Sequence, residues 1–123
     1  MSDSDAESLF QRIIAGEIPA EVVRDTDHVI AIRDVNPQAP THVLLAPKVR
    51  YRNATELAAQ DPTLLAELFR LAGEIAESDG VAESGYRTLF NTNADAGQTI
   101  FHVHLHLLGG RPLGGLVDGP VPE

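Results

Sequence analysis

Leu9, Phe10, Ile13 and Ile14 recur at helical spacing and stop at Gly16, so the patterned part of the chain opens with a short helix after Ser8. Ile18-Pro19 then begins an extended stretch. Apolar-rich runs at 22–24 and 29–33, separated by the turn-prone Asp25-Thr26-Asp27, predict the two strands of a hairpin. A third strand is expected over 41–47, closed by Pro47. Residues 53–60 carry no clear period. Asp61-Pro62 is an N-cap and first-turn pair, and Leu64, Leu65, Leu68, Leu71, Ala72 and Ile75 form an apolar stripe ending before Gly80, which predicts the main helix. A fourth strand follows at 86–91, a polar loop at 92–99 and a fifth strand at 100–108. The order α, β, β, β, α, β, β favours an α+β fold over a doubly wound sheet.

A chain of 123 residues fits one domain. Residues 1–7 read as a flexible acidic arm, 8–111 as the folded domain and 112–123 as a Gly/Pro-rich tail. The formal charge of −9 argues against a broad nucleic-acid or anionic-membrane surface, so neither is expected as a partner. A small phosphate ligand would have to be held locally, by backbone N–H groups, hydroxyls and imidazoles. The absence of cysteine removes disulfides and thiolate metal sites. The N-terminus lacks the basic and apolar blocks of a signal peptide, and no apolar run approaches the roughly 20 residues that span a bilayer, so a cytoplasmic location is expected.

His102, His104 and His106 stand two apart, which on a strand turns all three imidazoles to one side and Val103, Leu105 and Leu107 to the other. A row of groups titrating near neutrality offers a nucleophile, a proton donor and hydrogen-bond partners to a reacting group. Two other readings stand beside this one: a zinc site using two of these histidines and a third ligand from elsewhere, and histidines satisfied within a core. Upstream, Asn91 and the run Gly97-Gln98-Thr99 supply a glycine, amides and a hydroxyl suited to an anion. His42, at the start of the third strand, could orient the others or relay protons. Asp34, as a lone carboxylate before Val35-Asn36-Pro37, reads first as a turn-former, and Phe10, Ile13 and Ile18 read as core.

The segment from Gly97 through the three histidines to Gly109-Gly110-Arg111 resembles the signature of the histidine triad (HIT) superfamily, and its Gly-Gly-Arg ending resembles the Hint branch. Phe10 to Ile13 with Gly16 to Pro19, and Asp34 to His42, resemble two further blocks of that family, so the resemblance covers about residues 8 to 111. It implies a five-stranded antiparallel sheet with two helices, continued across a homodimer, and binding of a purine nucleotide: AMP, GMP or their conjugates. It further implies that His104 is the nucleophile, that His106 contacts the phosphate and leaving group, and that His102 and His42 form a supporting histidine chain. Asn91, Gly97, Gln98 and Thr99 would hold the phosphate and ribose side, with Asp34 on the ribose hydroxyls. Phe10, Ile13, Ile18, Ile32 and Val35 would line the base pocket.

The implied activity is hydrolysis of nucleoside monophosphate conjugates, of the phosphoramidase type, through a nucleotidyl-histidine. Dinucleoside polyphosphate hydrolysis, associated with the Fhit branch, is a second reading, and a nucleotide-binding or interaction protein with residual catalysis is a third. No cofactor is required by this chemistry, and zinc, if it binds, is not expected to be catalytic. The Gly/Pro-rich, Trp-free tail departs from the aromatic-containing tail of well-studied Hint proteins.

Overall fold

In the computed structural model, which describes residues 7–115, a reciprocal cap starts the first helix, α1 (Leu9–Ile14). The Ser8 hydroxyl accepts from the Gln11 N–H at 3.0 Å, and the Gln11 side chain accepts from the Ser8 N–H at 2.8 Å. Three strands follow, β1 (Val22–Asp25), β2 (Val29–Arg33) and β3 (Thr41–Pro47). Two helices come next, α2 (Ala54–Gln60), capped by Asn53, and α3 (Pro62–Ser78), capped by Asp61 with proline in its first turn. The chain then forms β4 (Tyr86–Leu89), a 3-10 turn at Ala94–Ala96 and β5 (Leu105–Gly109). All pairings are antiparallel, in the order β1-β2-β3-β5-β4.

The sheet is covered on both faces. On one, Leu64, Leu68, Leu71, Ala72, Ile75 and Ala76 of α3 pack on Val29, Ala31, Val43, Leu45, Leu105 and Leu107, each fully buried Leu or Ile contributing about 2 kcal/mol. On the other, α1 brings Phe10 onto Ile30, Ile32, Leu44 and Ala46. Double coverage explains why β3 is buried along its whole length. Beside it, Asp79, just past α3, pairs with the two terminal guanidinium nitrogens of Arg33 (2.5 and 3.0 Å) and accepts from the Thr41 hydroxyl at 2.9 Å. The Arg33 bond holds the Asp79 carboxyl below its usual range, and the same contact raises the Arg33 guanidinium.

Three expectations about elements need correction. Residues 53–60, which show no clear period, form α2: only Leu57 on this alanine-rich turn is buried, so no stripe develops, although the Asn53 side chain accepts from the Glu56 N–H at 3.0 Å. The helices therefore number three among the described residues, rather than two. The fourth strand ends at Leu89, where it pairs with His106, instead of at residue 91. The fifth begins at Leu105, not at residue 100. In register, Val103 would face Pro47, which has no N–H to continue the ladder, and the Val103 N–H turns to the Tyr51 carbonyl at 2.7 Å instead.

Of the expected arm only Glu7, and of the expected tail only residues 112–115, fall within the described residues; 1–6 and 116–123 lie outside them. No described helix is long and apolar enough to cross a membrane.

Candidate active site

Val43 and Leu45 face the α3 side of the sheet, so the alternation of β3 turns His42 toward the α1 side. In β5 His106 lies opposite Leu44, which makes His42 its diagonal neighbour. Their rings are 5.4 Å apart, with His42 Nε2 3.1 Å from His106 Nδ1. Backbone partners assign the protons. The Gln38 N–H donates to His42 Nδ1 at 3.1 Å, so the proton of the neutral ring is on Nε2 and points at His106 Nδ1. His106 accepts there and carries its own proton on Nε2.

His104 follows on the same face, its ring 5.0 Å from that of His106. Its Nδ1 lies 2.8 Å from the His102 carbonyl, which can only accept, so Nδ1 holds the proton and Nε2 the lone pair. Adjacent rings thus present opposite functions, a basic nitrogen on His104 and an N–H on His106. Phe10, fully buried, packs against His102 and His104 with centroids at 5.3 and 5.1 Å.

His102 is placed differently from the expectation of a histidine chain. Its imidazole bonds no other histidine: Nε2 donates to the Pro47 carbonyl at 2.6 Å and Nδ1 accepts from the Ser8 hydroxyl at 2.6 Å. Burial pushes this imidazole down to about 4; the Pro47 bond works the other way, while the Arg50 charge, and any second proton on His104, add to the lowering. It acts on His104 through its backbone carbonyl.

Asp34 is buried beside this relay, with Oδ1 accepting from the Asn36 N–H at 2.9 Å and Oδ2 3.4 Å from His42 Nε2. Oδ2 accepts no hydrogen bond among the described residues. Ile32 is buried in the α1-side cluster and Ile13 packs on its edge; Ile18 is half-buried outside it, and Val35 is 96% exposed. Thr99 is exposed in a groove with Ser8, Arg50 and Phe101, and Asn91 is half-buried just beyond β4.

Gln98 and Gly97 brace their loop. The Gln98 side chain accepts from the Asn93 N–H at 2.8 Å and donates to the Arg52 and Ile100 carbonyls at 2.9 and 3.1 Å, which occupies both ends of the amide. Gly97, at φ 88°, closes the 3-10 turn, and the N–H groups of Gly97 and Gln98 bond within the loop. Neither residue presents those groups to an anion; they set the path that leads into Phe101 and His102.

Sequence reasoning missed the atoms that orient the histidines. Ser8 marked only where the first helix begins, with nothing to show it as a partner of His102, and neither the Gln38 N–H nor the Pro47 carbonyl leaves any side-chain signal. Arg111 donates to the Gln38 carbonyl at 2.6 Å, and Gly110 lets the chain pass Pro40 so closely that a Cβ would lie 2.9 Å from the proline ring.

Asp34, His42 and His106 each offer an atom within 4.8 Å of the others, the spacing of a metal site. The donor set does not fit one. The nitrogen of His42 that faces both partners is Nε2, and the Gln38 N–H on Nδ1 keeps a proton, rather than a lone pair, at that position.

A family model described as the HIT domain matches residues 15–113. The "Purine nucleoside phosphoramidase" of Escherichia coli (strain K12) is 45% identical over 108 residues, 88% of this chain and 91% of that one. The "14 kDa zinc-binding protein" of Zea mays is 41% identical over 112 residues, 89% of this chain and 86% of that one. A crystal structure described as a HIT family hydrolase from Legionella pneumophila Philadelphia 1 is similar with a TM-score of 0.84 and 44% identity, covering 88% of this chain and 96% of that one.

Proposed function

This chain belongs to the HIT domain family, and from that premise we propose that it is a purine nucleotide-binding hydrolase of the phosphoramidase type, acting on nucleoside monophosphate conjugates through a nucleotidyl-histidine. The observation that carries the reading is the opposed protonation of two adjacent rings. His104 has its lone pair on Nε2 because Nδ1 donates to the His102 carbonyl. His106 has its proton on Nε2 because Nδ1 accepts from His42.

In the first step His104 Nε2 forms a bond to the α-phosphorus while the bond from phosphorus to the leaving amine breaks; the amine takes its proton from His106 Nε2, and because neutral His106 has only that one, solvent replaces it and receives one back when the second step delivers a proton to His106. In the second, water attacks the phosphorus, loses its proton to His106, and the nucleotide leaves with His104 restored. Each step inverts phosphorus, so the overall outcome is retention. Asp34 Oδ2, buried and accepting nothing from the described protein, suits a ribose hydroxyl. Thr99 and Asn91 are assigned to the phosphate side, Gly97 and Gln98 shape their loop, and Ile13, Ile18, Ile32 and Val35 are assigned to the base with Phe10 beneath them. The reading also takes the protein as a cytoplasmic homodimer that needs no metal for catalysis.

The test is a substrate pulse with an AMP-amidate, quenched and digested for mass spectrometry. An AMP adduct on the peptide carrying His104, absent in His104→Ala together with turnover, is the expected result. Undiminished turnover by His104→Ala overturns the assignment, and faster turnover of a diadenosine polyphosphate than of the amidate moves the substrate class.

A further inference from the structure

Between α1 and the histidine segment runs a continuous line of hydrogen bonds that starts at the half-buried helix-capping bond and is buried from the Ser8 hydroxyl on. Ser8 Oγ accepts from the Gln11 N–H at 3.0 Å and lies 2.6 Å from His102 Nδ1. The other nitrogen of that ring lies 2.6 Å from the Pro47 carbonyl, which cannot donate, so Nε2 must carry the proton and Nδ1 must accept from Ser8. From this we propose that Ser8 is a positioning residue for His104: by donating to His102 Nδ1 it locks the His102 ring between α1 and β3, and so fixes the carbonyl that orients the His104 imidazole. The inference rests on the reading of His104 as the nucleophile.

Local structure explains why such a lock is needed. His102 precedes β5, so no strand ladder holds its carbonyl. The peptide joining His102 to Val103 is anchored at its N–H by the Tyr51 carbonyl at 2.7 Å, and its C=O end bonds His104 Nδ1 at 2.8 Å. One anchor leaves that peptide free to swing about it. The His102 side chain supplies the second, and it is defined only when both ring nitrogens are bonded. Because His102 has no exposed surface, water does not replace a missing Ser8 hydroxyl without rearrangement. The same helix carries Phe10 against both rings, so the docking of α1 and the aim of His104 are set together.

The experiment uses the full chain with Ser8→Ala, Ser8→Gly and Ser8→Thr. Glycine caps a helix nearly as well as serine but has no hydroxyl, and threonine keeps both the cap and the donor. Nitrogen NMR of 15N-histidine-labelled protein reads ring protonation without substrate, and kcat and KM are measured with an AMP-amidate. Positioning predicts that the alanine and glycine variants alike lose the single Nε2-protonated signature of His102, shift the His104 nitrogens and drop kcat about 10-fold or more, with KM changed less than about threefold. Threonine restores all of these. A glycine variant that matches the parent in His102 and His104 spectra overturns the proposal, since the hydroxyl then serves only the helix. Failure of the parent protein to turn over the amidate sinks the hydrolase reading instead, and the substrate-free spectra still decide what Ser8 does to the two rings.

Discussion

His42 Nε2 stands 3.1 Å from His106 Nδ1, and the Gln38 N–H behind His42 makes this contact a one-way donation toward His106. Removing the donor in His42→Ala lets the His106 proton move to Nδ1, away from a leaving group. The expected result is a fall in kcat of about 10²-fold, growing steeper as the leaving amine becomes more basic. Turnover of an amidate series with graded amines checks it; a loss independent of amine basicity contradicts the relay.

Gly110 adopts φ 97°, and a Cβ there would meet Pro40 at 2.9 Å. Gly110→Ala therefore combines a left-handed backbone with a clash, at a cost of about 2 to 3 kcal/mol. Gly114, at φ 75° with nothing within 4 Å of its Cβ position, supplies the control, since alanine there meets only the backbone cost of about 1 kcal/mol. Denaturant unfolding of the two variants should differ in that order, and Gly110→Ala should also lose activity because the displaced loop carries Gln38.

His102 is held neutral in the fold, with its imidazole down at about 4, while in the unfolded chain it titrates near 6.5. The unfolded state thus binds the extra proton first as pH falls. Stability from this group is complete above about 6.5, declines through the window down to about 4 and then levels, a loss on the order of 3 kcal/mol. Unfolding free energies measured across that window should fall with decreasing pH in the parent protein and flatten in His102→Asn.

The tautomer at His42 disfavours a metal among Asp34, His42 and His106. Overnight chelation followed by desalting should leave AMP-amidate turnover within experimental scatter, and added zinc should inhibit if it binds, by capturing the imidazole lone pairs. Loss of activity on chelation that zinc restores contradicts this expectation.

Much of the fold was legible because its signals are local. The stripe from Leu64 to Ile75 with Asp61-Pro62 before it marks α3, and the apolar run of β3 was read to its ends because proline closes it. The α2 helix escaped because one buried leucine makes no period. The late start of β5, at Leu105 and not at residue 100, escaped for a different reason: the residue that keeps the ladder from extending further back, Pro47, is distant in sequence, and only the register of β3 against β5 brings the two together. In the candidate site, the alternation of histidines with Val103, Leu105 and Leu107 correctly separated two faces, even though half of that segment is not strand.

Residue order alone determined which side chains share a face, since helix and strand periods are written in near neighbours, and it supplied the imidazoles themselves. Only the tertiary structure decided where their protons lie. Ser8 meets His102 across 94 residues, Pro47 meets it across 55, and His42 meets His106 across 64. Such pairings depend on strand order and on backbone groups common to every residue, and a lone pair is assigned only when its partner in space is known.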